Sequence, residues 1–248
     1  MSILSVVKNV CGFVGVQVPT SVFSGIANNR TMTEMVTLAN EMAQRICSDS
    51  GHDWTALKLV NTYTGNGTQT AFNIPANYKR MLLTASVRSS VAPKQALRFI
   101  SDYDQWIERR LSNWNDSYGE WTIAGGQMLI FPAPAGPVTG PPAKPATTIT
   151  FPYLDKNCVN LTGGGVGDGF LADTDSFRLD ERLLQLGMIY QWKAHKGSPY
   201  AEDMGTYGDA LAMAMGKDSP APIIVDRYPI SASAQVSGQW PATWGPQP

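Results

Sequence analysis

The stretch Thr31-Met32-Thr33-Glu34-Met35-Val36-Thr37-Leu38-Ala39-Asn40-Glu41-Met42-Ala43-Gln44-Arg45-Ile46 decides how the rest of the chain is read. Met32, Met35, Val36, Ala39, Met42, Ala43 and Ile46 recur at i, i+3, i+4 and i+7, which places them on one face of an α-helix. Thr31 and Glu34 stand at capping-box spacing, where a hydroxyl and a carboxylate each satisfy an orphan backbone N–H. Methionine so spaced is packing material, so the stripe reads as core. Upstream, past a turn-rich stretch at 19–29, Ile3, Val6, Val7, Val10 and Phe13 repeat the helical spacing, with Ser2 as N-cap and Gly15 as stop.

Downstream the period changes from helical to two. Residues 59–64 and 68–75 flank Gly65-Asn66-Gly67 and read as a β-hairpin, and 81–88 as a further strand. Helix returns over 101–113, with Ser101 and Asp104 at capping-box spacing and Tyr103, Trp106, Ile107 and Leu111 on one face. Two short strands, 121–123 and 128–131, enclose Gly125-Gly126. The proline-rich segment 132–145 cannot continue helix or strand and reads as a loop or an ordered extended arm. A last strand is expected over 147–153. Residues 180–196 and 199–215 read as a helical hairpin, with Gly197 at C′, Ser198 as N-cap and Pro199 at N1. The expected fold class is therefore α+β. Residues 1–57 and 170–217 form a helical bundle of two N-terminal helices and a C-terminal helical hairpin. Residues 58–169 are an inserted β-rich block with one helix and a Pro/Gly-rich loop, and 218–248 are an extended C-terminal arm.

The last 31 residues, 218–248, differ in kind. Ile223-Ile224-Val225 is suited to a short strand; the remainder is Ser, Ala, Pro, Gln and Gly around Arg227, Tyr228, Trp240 and Trp244. Fully extended, such a segment reaches about 100 Å. Disordered tails lack aromatics, whereas Tyr and Trp anchor interfaces. The segment reads as an arm whose Ile223, Ile224, Val225, Arg227, Tyr228, Trp240 and Trp244 dock on another chain, the alternative being a wrap over its own domain.

Composition narrows the function. The chain is 43% hydrophobic but only 16% charged, against about 25% in ordinary soluble domains. Either other subunits cover part of its surface, or Gly, Ser and Thr solvate it. At a net charge of −1 there is no basic block of the kind phosphate neutralisation requires, which argues against specific DNA binding. Cys11, Cys47 and Cys158 are odd in number and contain no CxxC pair, as expected of a reducing compartment and not of a disulfide framework or zinc site. The apolar run 3–16 is broken by Lys8, Asn9 and Gly12 and lacks a leader's basic start, and no run approaches the ~20 apolar residues of a membrane span. A soluble protein made in a cytoplasm is expected.

No catalytic, cofactor or metal residue can be named. Neither His52 nor His195 sits in a HExxH or HxxE pattern, and GxSxG is absent. Gly163-Gly164-Gly165-Val166-Gly167-Asp168-Gly169 lacks the Lys and Ser or Thr of a P-loop and reads as a flexible loop. Asp173 and Asp175 are too few carboxylates for a divalent-cation cage, and capping the following helix accounts for them better.

The order of these elements resembles the head-to-tail adaptor, or connector, family of tailed bacteriophages over about residues 1–217. The features that carry the resemblance are Leu38-Ala39-Asn40-Glu41, the Asp53-Trp54 pair and the expected hairpin over 59–75. Met128-Leu129-Ile130-Phe131-Pro132-Ala133-Pro134 and Phe170-Leu171-Ala172-Asp173-Thr174-Asp175 follow, then Leu179-Asp180-Glu181-Arg182-Leu183-Leu184-Gln185-Leu186-Gly187-Met188-Ile189-Tyr190-Gln191-Trp192-Lys193 and Lys196-Gly197-Ser198-Pro199-Tyr200-Ala201. The resemblance implies a non-enzymatic virion protein at the neck, joining the portal of a filled capsid to the tail. It implies a ring, typically of twelve copies, walled by helices, whose arms reach the portal or neighbouring subunits. Partners would be the portal protein and tail or nozzle components, with genomic DNA passing through the lumen unbound. The loop 132–145 is longer than a plain hairpin needs and departs from that pattern. A head-completion stopper is the nearest alternative, and a virion-borne peptidoglycan hydrolase an alternative of another class.

Overall fold

In the computed structural model, residues 2–24, 29–91, 96–112 and 119–218 are described; the arm residues Ile223, Ile224, Val225, Arg227, Tyr228, Trp240 and Trp244 lie outside them. Helix α1 spans Ile3–Val14. Ser2 makes no side-chain cap; instead the orphan N–H groups of Ile3 and Leu4 donate to the carbonyls of Asp175 (2.8 Å) and Asp173 (3.2 Å). Gly15, in the left-handed region, ends the helix. Ile3, Val6, Val7 and Val10 are buried as expected, but Cys11 takes the next inward place and Phe13 is 71% exposed.

Helix α2 (Arg30–Gln44) buries Met32, Met35, Leu38, Ala39, Met42 and Ala43, with Ile46 buried just beyond. Its cap differs from the expected box: Asn29 accepts from the Met32 N–H, and Glu34 pairs across the first turn with Arg30. The helix relaxes into a π-helical turn, Arg45–Asp49, and the indole of buried Trp54 donates to the Ile46 carbonyl at 2.7 Å.

Eleven strands follow among the described residues: β1 (Lys58–Thr64), β2 (Ala71–Asn73), β3 (Tyr78–Met81), β4 (Arg88–Ser89), β5 (Arg98–Phe99), β6 (Glu120–Ala124), β7 (Gln127–Phe131), β8 (Thr148–Asp155), β9 (Val159–Asn160), β10 (Val166–Gly167) and β11 (Ser176–Phe177). Helix α3 (Tyr103–Leu111) stands between β5 and β6; α4 (Glu181–His195) and α5 (Ala201–Asp218) close the described chain. The first sheet runs β1-β8-β3 with β4 also on β8, the second β2-β7-β6-β5, and the third β10-β9-β11.

Several local expectations are corrected. The strands flanking Gly65 do not pair with each other: β1 lies antiparallel to β8 from Lys58↔Leu154 to Thr64↔Thr148, and β2 joins β7 in another sheet. The cause is the proline-rich loop, which folds back on the Gly65-Asn66-Gly67 turn. Gly65 N–H donates to Thr147 O and Gly67 N–H to Pro134 O, each at 2.8 Å. A Cβ on Gly65 would lie 2.3 Å from the Pro134 carbonyl oxygen. Gly65→Ala is therefore expected to separate the two turns and cost about 1–3 kcal/mol, read as a lowered urea midpoint. Residues 81–88 turn between β3 and β4 instead of forming one strand. The glycine run at 163–169, expected as a loop, contains a short return strand of the third sheet, β10 paired with β9. Helix α3 starts at Tyr103 on an Asp102 cap, and α5 starts at Ala201, beyond Ser198 and Pro199. The β6–β7 hairpin forms as expected, on Gly125 and Gly126 with φ of 58° and 73°, the mirror-image turn that matches strand twist.

The helical bundle with a C-terminal hairpin is also corrected. The protein is α+β, with five helices and three sheets among the described residues, and its helices do not enclose a core of their own. Helix α5 has no fully buried residue; Tyr207, Ala210, Leu211, Ala214 and Met215 only lean on the core from outside. The interior shared by α1, α2 and α4 is completed by Trp54, Leu57, Leu154, Cys158, Val159 and Phe177, so strands supply what a bundle would take from a fourth helix. A second core joins the two larger sheets through Phe72, Trp121, Met128, Ile130, Ile149, Phe151 and Tyr153. Tyr63 stacks on Phe72 there, with ring centres 4.7 Å apart.

Candidate functional site

The polar side chains that the fold draws together sit where helices meet strands. His52-Asp53-Trp54 is a three-way joint. His52 Nε2 lies 2.9 Å from the Asp218 carboxylate at the end of α5, and the His52 ring meets Trp54 edge-on at 4.8 Å. Asp53 pairs with Arg80 at 2.6 Å and accepts the Leu83 N–H at 2.8 Å, fixing the exit of β3. Trp54 holds the end of α2. Asp218 also accepts the Thr55 N–H; burial opposes its charge, but that bond and His52 more than compensate and hold its pKa below the usual aspartate range.

Below this joint Arg178 reaches three chain segments. One Nη donates to Asp155 Oδ2 and to the Asn157 carbonyl, the other to the Ala56 carbonyl, each at 2.7 Å. Asp155 is 2% exposed, and its other oxygen accepts from the Asn157 N–H and the Asn77 amide. Asp173 and Asp175 do not cap α4, whose N-cap is Asp180. Asp173 accepts the Ser21 hydroxyl and the Val22 and Phe23 N–H groups, seating the segment after α1. Asp175 accepts Leu171 N–H, Ala172 N–H, Thr162 N–H and the Thr162 hydroxyl at 2.7–2.9 Å. Burial raises the pKa of both, and these hydrogen bonds reverse it, leaving both below the ordinary value.

The Arg109-Arg110 pair, in the last turn of α3, turns inward. Both guanidinium groups meet the fully buried Glu120 carboxylate, and Arg110 lies 3.7 Å over the Phe131 ring and 4.5 Å over Trp106. Burial pulls the Arg110 pKa down against the pull of Glu120.

Of the clefts, one of about 460 Å³ between α2 and the end of α4 is lined by Arg30, Glu34, Leu38, Trp192, His195 and Lys196. Its charges satisfy one another: Glu34 takes Lys196 at 2.7 Å and Arg30 at 2.9 Å, which lower its pKa in that order, and Lys196 sits 4.6 Å over Trp192. Thr33 and Thr37 direct their hydroxyls at helix carbonyls. This is the chemistry of a clamp between helices. Among the described residues no group of three or more His, Cys, Asp or Glu is placed to hold a metal ion. No described helix is long and apolar enough to cross a membrane.

What the described surface does offer is uncovered apolar side chains on helices. On α3 the sequence grouped Tyr103, Trp106, Ile107 and Leu111 on one face, and of these only Trp106 is buried. Tyr103, Ile107 and Leu111, four residues apart, face outward, Leu111 at 83% exposure, and Phe99 on β5 is exposed as well. Met204 and Met213 are exposed on α5, and Phe13 on α1. No protein-family model matches the chain, and neither does any curated protein.

Proposed function

We propose that this chain is a structural subunit of a tailed-phage neck, a head-to-tail adaptor that closes into a ring on the portal. The observation that supports it most is the set of apolar helix faces left in water, Tyr103, Ile107 and Leu111 on α3 with Met204 and Met213 on α5, in a chain poor in charge. Apolar surface of this kind gains about 25 cal/mol for each Å² removed from water. In a closed ring each copy presents two different flanks to its neighbours, so both faces are covered without a special partner for each. The resemblance of the short segments 38–41, 53–54, 128–134, 170–175 and 179–201 supports the place of assembly, between capsid portal and tail, with the portal and tail proteins as partners. A net charge of −1 suits a lumen through which DNA slides without adhering. The segment 218–248, whose first residue Asp218 ends α5, supplies the arm of this reading.

Native mass measurement of the full chain, alone and with purified portal, tests the proposal. A ring-sized species is expected, either alone or on the portal. Leu111→Asp and Met213→Asp, which alter only exposed side chains, should keep the melting temperature within about 2 °C while reducing ring formation at least tenfold. Removing 223–248 should leave the fold intact and abolish stable portal attachment. A monomer indifferent to portal would overturn the reading, and soluble-peptidoglycan release by the purified chain would favour the hydrolase alternative.

A further inference from the structure

We propose that Cys47 and Cys158 are a latent disulfide, a covalent latch between the end of the second helix and the third sheet that closes when the protein meets a peroxide or a disulfide oxidant. The proposal does not depend on the neck reading. The two residues are 111 positions apart in sequence, and the fold brings their segments together: Cys47 lies on the π-helical turn after α2, one turn beyond Gln44, whose amide is 3.4 Å from the sulfur of Cys158 just before β9, and both cysteines are buried in the helical core. All three cysteines are free thiols, and Cys47 and Cys158 are close enough for each to be the largest influence on the other's ionisation. The Cys158 sulfur also accepts from Gln44 Nε2 and donates to the Asp168 carbonyl, each at 3.4 Å.

The pair is chemically asymmetric. Contact with Cys47 lowers the Cys158 pKa against its burial, with the Arg178 charge assisting; the same contact, then burial, raises Cys47. Cys158 is therefore the nucleophile and Cys47 the resolving thiol. With hydrogen peroxide, the Cys158 thiolate attacks one peroxide oxygen. The O–O bond breaks, and the departing hydroxide takes up a proton as water. The resulting sulfenic acid is attacked by the Cys47 sulfur, the S–O bond breaks, and a second water leaves with the Cys47 proton. Two thiols give up two electrons and the peroxide accepts both.

Both cysteines are buried, and Gln44 lies against the Cys158 sulfur. Gln44 is half-buried, and its amide spans from the Cys158 sulfur to the Asp168 carbonyl, 2.7 Å away. Cys11, in contrast, sits on α1 with a pKa raised by burial, and serves as the internal control. Reducing surroundings keep the latch open, and export or release to oxidising ones closes it.

The test is oxidation of the native full-length protein with hydrogen peroxide and, separately, with oxidised glutathione, followed by alkylation and non-reducing peptide mapping. A Cys47–Cys158 cross-linked peptide is expected, with Cys11 recovered as thiol. Because the bridge closes a loop of ~110 residues, the melting temperature should rise by roughly 5–10 °C and return on reduction. Cys47→Ala and Cys158→Ala should lose that shift while Cys11→Ala keeps it, and Gln44→Ala should accelerate cross-linking several-fold. The map of the unaltered chain decides the matter even if a cysteine variant folds poorly. Over-oxidised Cys158 without a cross-link, or disulfides that involve Cys11 or a second molecule, would overturn the proposal.

Discussion

Arg178→Ala is expected to lower the unfolding free energy by about 3–5 kcal/mol, one of the two largest single-residue losses the fold offers. The loss has two parts. Asp155, 2% exposed, is left with the Asn157 N–H and the Asn77 amide as its hydrogen-bond partners among the described residues. The Ala56 and Asn157 carbonyls lose their donor at the same time. These three sites belong to the 3-10 turn leading into β1, the end of β8 and the approach to β9, so one planar guanidinium joins the first sheet to the third. Lysine carries the charge but not the fork, and Arg178→Lys should recover less than half the loss. Equilibrium urea unfolding at pH 7 measures both. A double-mutant cycle with Asp155→Asn should return a coupling of about 1–3 kcal/mol. Additive losses, or a loss under about 1 kcal/mol for Arg178→Ala, would mean that water screens the pair and that the joint is held by apolar packing alone.

What was legible in the sequence follows from how local each interaction is. The α2 stripe from Met32 to Ile46 could be read because one buried face imposes a period on fifteen or so consecutive residues. The Gly125-Gly126 hairpin could be read because its partner strands are neighbours in the chain. Strand content around Leu59 was legible, but its pairing was not. The partner of β1 is β8, some ninety residues later, and the Gly65 turn is held by Pro134 and Thr147 instead of by its own flanks. Asp173 binds Val22 and Phe23 from 150 residues away, and Arg178 reaches Ala56 across 122, so neither leaves a spacing signal. The same is true of Cys47 and Cys158, whose separation in sequence argued against pairing. Apolar spacing also fails to say which face is covered by the same chain: Phe13 and Leu111 continue their helical patterns and end in water. The helical bundle failed for a related reason. Helical periodicity counts helices, while the identity of the surfaces that fill a core, here Leu154, Val159 and Phe177 in place of a fourth helix, is a long-range property.

Asp175→Ala should rival the loss at Arg178, at about 3–5 kcal/mol, and should carry a pH signature that the arginine variant lacks. The carboxylate is 1% exposed and accepts four hydrogen bonds, from Leu171, Ala172 and twice from Thr162. Truncation leaves three N–H groups and a hydroxyl with less than their full complement, and each buried donor so stranded costs about 1–3 kcal/mol. The turn they hold also positions the Asp173 and Asp175 carbonyls that receive the first N–H groups of α1, so that helix should fray with it. Asp175→Asn keeps the shape and loses the charge, and separates the two contributions. In the parent protein the Asp175 pKa is lower folded than the 3.8 of an ordinary aspartate. Its carboxylate therefore contributes stability that is fully present above that value and is lost as pH falls through it toward the folded pKa. Asp173 and Asp218 are shifted in the same direction and add to the same acid limb. Urea midpoints taken between pH 7 and pH 2.5 should thus fall steeply below about pH 4 in the parent and less steeply in Asp175→Asn. An unchanged acid limb in the asparagine variant would place the driving charge elsewhere and reduce Asp175 to a neutral hydrogen-bond acceptor. A flattened limb would show that the turn seating α1 is held by a charge, because only an ionised carboxylate accepts all four bonds at once.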